Sequence, residues 1–221
     1  MESFKIRFKF QKLNEFKYLS HLDIVRLLIF SIRRAEIPVK YSEGFNPNPK
    51  INFSFPIPVG LASFAEYADI ELEQEMNSEK FRIEINGNLK PGFYVTKAAM
   101  LKEKVPSLMA DISVIKYNFD FYVSDYQLLN HFNEEIDSLK NDLNSIWKFK
   151  LKTFDNDPYI VKLILFGYTK VLNNNRIFKF NDFLINLKLL SSNKNAELKE
   201  FFKEEAYVIR GGILKTPMDI V

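Results

Sequence analysis

The first strong pattern along the chain is a helical spacing of apolar residues between positions 20 and 36. At 100° per residue, one face of this helix carries Val25, Leu28, Ile29 and Ile32. The opposite face carries Asp23, Arg26, Phe30, Arg33 and Arg34. Ser20 and Asp23 have the spacing of a capping box, in which each side chain bonds the other residue's backbone N–H. We therefore predict a helix over residues 20–36 whose apolar face packs inward and whose arginines face solvent.

Alternating apolar and polar residues predict strands on both sides of this helix. Residues 4–10 alternate apolar and basic side chains, which is typical of a strand with one basic face. Further strands are predicted at residues 51–55, 67–72, 93–98, 114–123, 147–154, 159–168 and 206–209, and further helices at residues 78–85, 124–139 and 182–190. The helix at 124–139 opens on a second capping box, Ser124 with Gln127, and residues 156–158 form a predicted turn.

The order strand-helix-strand-strand-helix-strand occurs twice, with a junction at residues 102–111. This order is typical of the ferredoxin-like βαββαβ unit. We therefore predict an α+β protein with two tandem ferredoxin-like units, each with an antiparallel sheet, over residues 1–104 and 111–221. A chain of 221 residues is long enough for each unit to bury its own core.

The segment between the first helix and the strand at residue 51 is a rigid loop. Gly44 can adopt positive φ, and Pro47 and Pro49 fix their own φ angles and restrict the asparagines before them. Such a loop loses little conformational entropy when it binds a ligand. It would offer flat rings, side-chain amides and a cation side by side, from Tyr41, Phe45, Asn46, Asn48 and Lys50.

Positive charge is concentrated in the first part of the chain. The net charge is only +3, but residues 1–60 hold ten Lys or Arg against five Asp or Glu. Residues 61–104 hold six against eight, and the remainder holds fifteen against fifteen. All of the excess positive charge therefore lies in the block that contains the arginine-bearing helix, as expected for a modest phosphate-binding surface.

The sequence has no cysteine and only two histidines, His21 and His131. The lack of cysteine excludes disulfides, cysteine zinc sites and iron–sulfur ligation by this chain. The two histidines lie far apart without neighbouring ligand spacing, so we expect no metal and no cofactor. No apolar run approaches the roughly 20 residues that a membrane-spanning helix needs, so we expect a cytoplasmic protein with no membrane contact.

The order of SHLD, the arginines, GFNPNPK and PIPVG resembles the radical-SAM-linked protein family, a bacterial group of unknown biochemical function. The resemblance covers residues 4–75, through the segment GLASFAEYADIEL, with a looser match to VIRGG near the C-terminus. Family members often have histidine where this chain has Asn48, which argues against a metal ligand or a proton donor in the loop. The family pattern marks Ser20, His21, Leu22, Asp23, Arg26, Arg33, Arg34, Gly44, Phe45, Asn46, Pro47, Pro49, Lys50, Gly60, Glu66 and Tyr67.

The family resemblance also implies a partner, because its members are encoded beside, or fused to, cobalamin-binding radical SAM proteins. Radical SAM catalysis needs a three-cysteine cluster motif, so this chain cannot supply it alone. We therefore expect a non-catalytic accessory protein that binds a phosphate-bearing substrate, most plausibly RNA, while the partner modifies it. The binding residues would be Arg26, Arg33, Arg34, Tyr41, Phe45, Asn46, Asn48 and Lys50. The motif's structure would be maintained by Ser20, Asp23, Gly44, Pro47, Pro49, Gly60 and Glu66, with Glu66 as a partner for an arginine.

Two other functions fit the same residues. The first is a metal-independent endoribonuclease, in which His21 is the general base and Arg26 or Lys50 stabilises the charged transition state. The second is a protein-interaction module that binds no nucleic acid. No nucleotide-binding glycine loop, nucleophile elbow or metalloprotease motif is present to favour other chemistry.

Overall fold

The computed structural model describes residues 4–56, 58–101, 105–123, 134, 145–154, 157–171, 177–193 and 196–221. These residues form an α+β protein in which every strand pairing of described register is antiparallel. The elements are β1 (Phe4–Lys12), a 3-10 helix (Asn14–Tyr18), α1 (His21–Arg34), β2 (Ile51–Phe53), β3 (Ala62–Leu72), α2 (Ser78–Asn86), β4 (Phe93–Met100), α3 (Leu108–Asp111), β5 (Val114–Val123), β6 (Ile146–Phe154), β7 (Asp157–Tyr168), α4 (Phe180–Asn193), β8 (Ala196–Arg210) and β9 (Ile213–Lys215).

The chain divides into two compact units. The first unit consists of Met1–Ile112 together with Glu205–Val221, and the second unit consists of Ser113–Glu204. Residues 205–221 thus group with the first unit, whereas the sequence-based division placed them in a second domain over residues 111–221.

Most predicted elements are present, with different ends. β3 begins five residues before its predicted start, and β8 extends over fifteen residues where only 206–209 were predicted. The short helix α3 lies within the predicted junction at residues 102–111, where no helix was predicted. The predicted capping box at Ser124 and Gln127, nearly all of the helix at 124–139 and Asn156 of the predicted turn lie outside the described residues.

The sheet of the first unit has the order β4-β1-β3, with β2 paired to the other edge of β3. Phe4 pairs with Leu72 and Phe10 with Glu66, so β1 and β3 lie side by side for most of their length. Helices α1 and α2 cover one face of this sheet, where Phe8 contacts Phe81 of α2 with ring centroids 5.4 Å apart. Burying a side chain of this size contributes about 1.5–3 kcal/mol.

Helix α1 is turned slightly from the predicted orientation. Its fully buried side chains are Ile24, Leu28, Ser31 and Ile32. Val25 and Ile29, which we predicted to be core residues, are only half-buried. Ile24 therefore lies in the core, where it packs with the side chains of β1. The opposite face is exposed as predicted, including Arg26, Phe30, Arg33 and Arg34.

The second unit has the strand order β8-β5-β7-β6. β5 pairs with β7 from Val114 opposite Tyr168 to Tyr122 opposite Ile160, and β6 pairs with the other edge of β7. Helix α4 packs on this sheet through Phe183, whose ring lies 5.5 Å from that of Phe119. Phe119 and Phe121 of β5 are both buried.

Candidate functional site

The start of α1 is fixed by hydrogen bonds between two side chains and the backbone. Ser20 has an extended backbone (φ −68°, ψ 165°), and its hydroxyl oxygen accepts a hydrogen bond from the Asp23 N–H at 3.3 Å. The Asp23 carboxylate accepts in return from the Ser20 N–H at 3.3 Å and from the Ser20 hydroxyl at 2.6 Å. The hydroxyl hydrogen bond holds the pKa of Asp23 below its ordinary value. The predicted capping box is therefore confirmed.

The three arginines of α1 have different surroundings. Arg26 lies one turn after the cap, where its guanidinium is 3.5 Å from the Asp23 carboxylate and its side chain is 69% exposed. Arg34 donates a hydrogen bond to the backbone carbonyl of Asn88 at 3.0 Å, in the turn that follows α2. The Ser31 hydroxyl donates to the same carbonyl at 3.2 Å. Arg34 is therefore held in place, whereas Arg26 and Arg33 project from the helix.

One open groove brings two of these arginines together with a third cation. It is lined by Leu27, Phe30, Arg33, Arg34 and Lys90. No carboxylate lines the groove, and within the described part of the chain the side chains of Arg33 and Lys90 form no ion pair. We call these five residues the basic groove. Sequence reasoning missed Lys90, because Pro91 and Gly92 beside it indicate a turn but not that the turn lies against α1.

The Asn-Pro loop is closed by its own hydrogen bonds. The backbone N–H of Ser42 donates to the Asn48 carbonyl at 2.8 Å, and the Asn48 N–H donates to the Ser42 hydroxyl at 3.0 Å. The Asn48 side-chain amide donates to the Asn46 carbonyl at 3.1 Å. Gly44 has φ +123°, and the neighbouring Phe45 is fully exposed at the tip. The loop therefore presents mainly Phe45, while the backbone N–H and the side-chain amide of Asn48 both donate within the loop.

The remaining loop residues predicted to bind lie at its base. Tyr41 pairs with Pro49 through an isolated bridge, and its side chain packs partly against the core. Lys50 leads into β2, and its backbone N–H donates to the Lys40 carbonyl at 2.8 Å. Among the residues that the structure describes, no hydrogen bond or ion pair joins the arginines of α1 to residues 43–50. The arginines and the loop are thus not joined by a hydrogen bond or an ion pair in the described part of the chain.

A second, smaller cavity lies at the start of α1. His21 packs edge-on against Phe53, with ring centroids 5.4 Å apart, and lines this cavity together with Lys12 and Glu66. Lys12 is almost fully buried, and its ammonium donates to the carbonyls of Lys17 at 3.3 Å and Leu19 at 3.5 Å. The cavity has room for about one water molecule.

Glu66 and Gly60 hold the chain around this second cavity. The Glu66 carboxylate accepts from the Ser63 hydroxyl at 2.6 Å, and it is 7% exposed. The described contacts of Arg26, Arg33 and Arg34 do not include Glu66. Gly60 has φ +88°, and its N–H donates to the Lys17 carbonyl at 2.8 Å, which ties the loop before β3 to the 3-10 helix.

The other face of the sheet in the first unit carries a buried polar cluster. Arg7 is fully buried and donates two hydrogen bonds to the Asp69 carboxylate, at 2.8 and 2.9 Å. A third hydrogen bond from Arg7 reaches the Pro217 carbonyl at 3.3 Å. The basic face predicted for β1 is therefore not a solvent-exposed surface at Arg7, because β3 supplies an acidic partner and the segment around Pro217 covers it.

Tyr67 and Glu205 extend this polar cluster along the strands. Glu205 accepts hydrogen bonds from the Tyr67 hydroxyl and from the Lys9 ammonium, the latter at 2.5 Å. Burial, followed by the neighbouring Glu205 charge, raises the pKa of Tyr67 far above its ordinary value. The sequence alone did not reveal this role of Glu205, because its partners Lys9 and Tyr67 lie far from it along the chain.

The described residues contain no group of three His, Asp or Glu side chains that could bind a metal ion. His131 lies outside them. None of the helices in the described part of the chain is both long enough and apolar enough to cross a membrane.

Comparison with known proteins identifies the family. A model of the DUF2344 family, uncharacterized proteins conserved in bacteria, matches residues 5–199. The chain belongs to the DUF2344 family. This result supports the expectation of a bacterial family of unknown function, and the family description names no radical SAM enzyme. The matched range includes the basic groove, the Asn-Pro loop and the cavity beside His21, and it ends before Glu205.

Other comparisons add no function to this DUF2344 chain. No curated protein matches its sequence. A crystal structure from Lactobacillus acidophilus NCFM, of a protein provisionally assigned as a monooxygenase, shares 12% identity and covers 97% of both chains. The TM-score of that match is 0.32, so the likeness supports no conclusion about fold or activity.

Proposed function

We propose that this DUF2344 protein is a cytoplasmic, non-catalytic accessory protein that binds RNA through the basic groove. The observation that carries the proposal is the lining of that groove: Arg33, Arg34 and Lys90 converge there without a carboxylate. Cations that are not paired within the protein are available to phosphate groups, and phosphate contacts supply most of the affinity for nucleic acid.

The geometry of Arg34 supports this proposal. Its guanidinium is already held by the Asn88 carbonyl at 3.0 Å, so less side-chain entropy is lost when it contacts a phosphate. The concentration of positive charge in residues 1–60 would attract an anionic strand toward this part of the chain. Arg26, Phe45 and the amides of the loop remain candidate contacts for a longer RNA segment.

The proposed function includes a partner, a radical SAM protein with a cobalamin-binding domain. The resemblance of residues 4–75 supports this part, together with the lack of cysteine in the sequence. Purification of the tagged chain from its native cells, followed by mass spectrometry, should recover such a protein in stoichiometric amount. Repeated purifications that recover the chain without it, even after cross-linking, would contradict a stable partnership.

The RNA-binding proposal is tested by removing two cations from the groove. We expect Arg33→Gln with Lys90→Gln to weaken binding of a single-stranded RNA oligonucleotide, measured by fluorescence anisotropy at several salt concentrations. Each lost phosphate contact should flatten the slope of log affinity against log salt by about 0.7, so the pair should change it by about 1.4.

A matched control removes the same charge elsewhere in the first unit. Lys80 and Arg82 lie on α2, paired with Glu84 and Glu79, and neither lines the groove. Lys80→Gln with Arg82→Gln should leave the salt slope near that of the unmodified protein. Equal slopes and affinities for the groove variant and the unmodified protein would overturn the proposal.

A metal-independent ribonuclease is the second candidate, because the structure places His21 beside Lys12 and Glu66 in one cavity. General-base catalysis by His21 would require cleavage of RNA in the presence of EDTA, and His21→Asn should then lower the rate by about 10²-fold or more while binding is retained. Under the accessory function, neither protein cleaves RNA and His21→Asn keeps most of the binding.

We also propose that both units are ferredoxin-like. The support is their strand order, since β4-β1-β3-β2 and β8-β5-β7-β6 each place the last strand of a βαββαβ series beside the first. An experimental structure in which residues 124–139 are not helical would contradict this assignment for the second unit.

A further inference from the structure

We infer that the basic groove selects single-stranded RNA by stacking one unpaired base on the ring of Phe30. This inference rests on the proposed function, since it concerns the same groove and names the class of RNA that it takes. The three cations of the groove can contact any phosphate chain, whether single-stranded or duplex. Phe30 is the lining residue that can distinguish the two.

Phe30 is an exposed ring in a charged setting. Its side chain is 58% exposed, because the residues of α1 that pack in the core lie on the other face of the helix. Leu27 precedes it by three residues, and Arg33 and Arg34 follow it by three and four, so all four side chains share one face of α1. The groove therefore combines an accessible ring with cations on the same helical face and with Lys90 from the turn after α2.

This combination matches the way proteins hold single strands. Aromatic side chains receive the faces of unpaired bases, while basic groups contact the sugar-phosphate chain. In an RNA duplex the base faces are already stacked within the helix, so a ring on the protein surface cannot reach them. The cations would then bind both forms of RNA, and Phe30 would add affinity for the single strand alone.

The experiment separates the ring from the charges by changing both the protein and the RNA. The probes are a single-stranded oligouridylate of about 12 nucleotides, an abasic ribose-phosphate strand of the same length, and an RNA duplex of the same length. Affinities are measured by fluorescence anisotropy for the unmodified protein and for Phe30→Leu, which keeps an apolar side chain without a ring. Phe30→Tyr keeps the ring and should rescue binding.

We expect Phe30→Leu to lower the affinity for oligouridylate by about tenfold, and to leave the affinities for the abasic strand and the duplex unchanged. Ile83→Ala, which removes another exposed apolar side chain in the first unit outside the groove, should change none of the three affinities. Because Phe30 is largely exposed, its replacement should not disturb folding, and circular dichroism of each variant verifies this.

The outcomes distinguish this inference from the function on which it rests. If Arg33→Gln with Lys90→Gln weakens binding but Phe30→Leu does not, the groove binds phosphate and the stacking inference is wrong. An equal loss for the base-bearing and abasic strands in Phe30→Leu also overturns stacking, as does tighter binding of the duplex than of the single strand. If the charge variant binds every probe as well as the unmodified protein, the proposed function itself fails.

Discussion

Replacement of Asp69 by alanine should be among the most damaging single changes in the first unit. Asp69 accepts two hydrogen bonds from Arg7, whose side chain is fully buried, and its own side chain is 6% exposed. Without the carboxylate, the guanidinium would remain in a dry site with the Pro217 carbonyl as its remaining described acceptor. Leaving one member of a buried ion pair uncompensated costs about 3–5 kcal/mol.

Removing both charges should reverse most of that loss. A double variant, Arg7→Met with Asp69→Leu, replaces the ion pair by apolar side chains of similar reach. Such replacements are often neutral or stabilising, because the desolvation cost of the two charges disappears with their attraction. We therefore expect the double variant to be more stable than Asp69→Ala by about 3 kcal/mol or more.

Amide hydrogen exchange in β1 and β3 is the appropriate measurement, since the only tryptophan, Trp147, lies in the second unit. A loss of 3–5 kcal/mol corresponds to exchange that is about 140- to 3,700-fold faster, at about 1.4 kcal/mol per tenfold. The comparison is Glu79→Ala, which breaks a similar two-bonded pair with Arg82 in an exposed position and should change exchange little. The reasoning is refuted if amide exchange in Asp69→Ala is as slow as in Glu79→Ala. It is also refuted if exchange in the double variant is as fast as in Asp69→Ala.

Two further predictions concern local geometry. Ser20→Ala should destabilise the protein by about 1 kcal/mol through loss of the cap, and an unchanged denaturation midpoint would contradict this. The pKa of Asp23 is lower in the folded protein than in the unfolded chain. Its contribution to folding stability is therefore present above the unfolded-state pKa and is lost as the pH falls through the folded-state pKa. NMR titration should show a higher pKa for Asp23 in Ser20→Ala than in the unmodified protein. Gly92→Ala should cost about 1–3 kcal/mol, since Gly92 has φ +99° and a Cβ there would lie 3.2 Å from the Phe16 ring. Gly87→Ala, at an ordinary φ with contacts of 3.5 Å or more, is the control and should be near neutral in the same thermal unfolding assay.

Sequence patterns predicted what depends on neighbouring residues. The capping box at Ser20 and the helical period of α1 are both set within one or two turns, so the helix could be placed to within two residues at its end. The rotation of α1 about its own axis was predicted less well. Apolar residues cover a wide strip of the helix surface, and which of them are most buried depends on how the helix packs on the sheet. Ile24 is buried for that reason, while Val25 is only half-buried.

Features that depend on contacts between residues far apart in the sequence were not predicted. Most of β8 was not predicted, because its Lys and Glu residues interrupt the alternation of apolar and polar positions that is typical of a strand. The partners of these charged residues lie elsewhere in the chain. Glu204 pairs with Lys116 and accepts from Asn118 at 2.5 Å, which holds its pKa below the ordinary value although burial alone would raise it. Lys90 was missed from the groove for the same reason, since only the folded chain places its turn against α1.

The contacts of Arg7 have a practical consequence for expression of DUF2344 proteins. The family match ends at residue 199, and a researcher who chose gene boundaries from it would express residues 5–199. That fragment would lack Pro217, which accepts from Arg7, and Glu205, which accepts from Lys9 and Tyr67. Lys9 and Tyr67 would then lose the carboxylate that accepts from them, and Arg7 would keep Asp69 but lose its third acceptor. Recombinant work on this chain should therefore retain the residues through 221, even though residues 200–221 lie beyond the range that the family model matches.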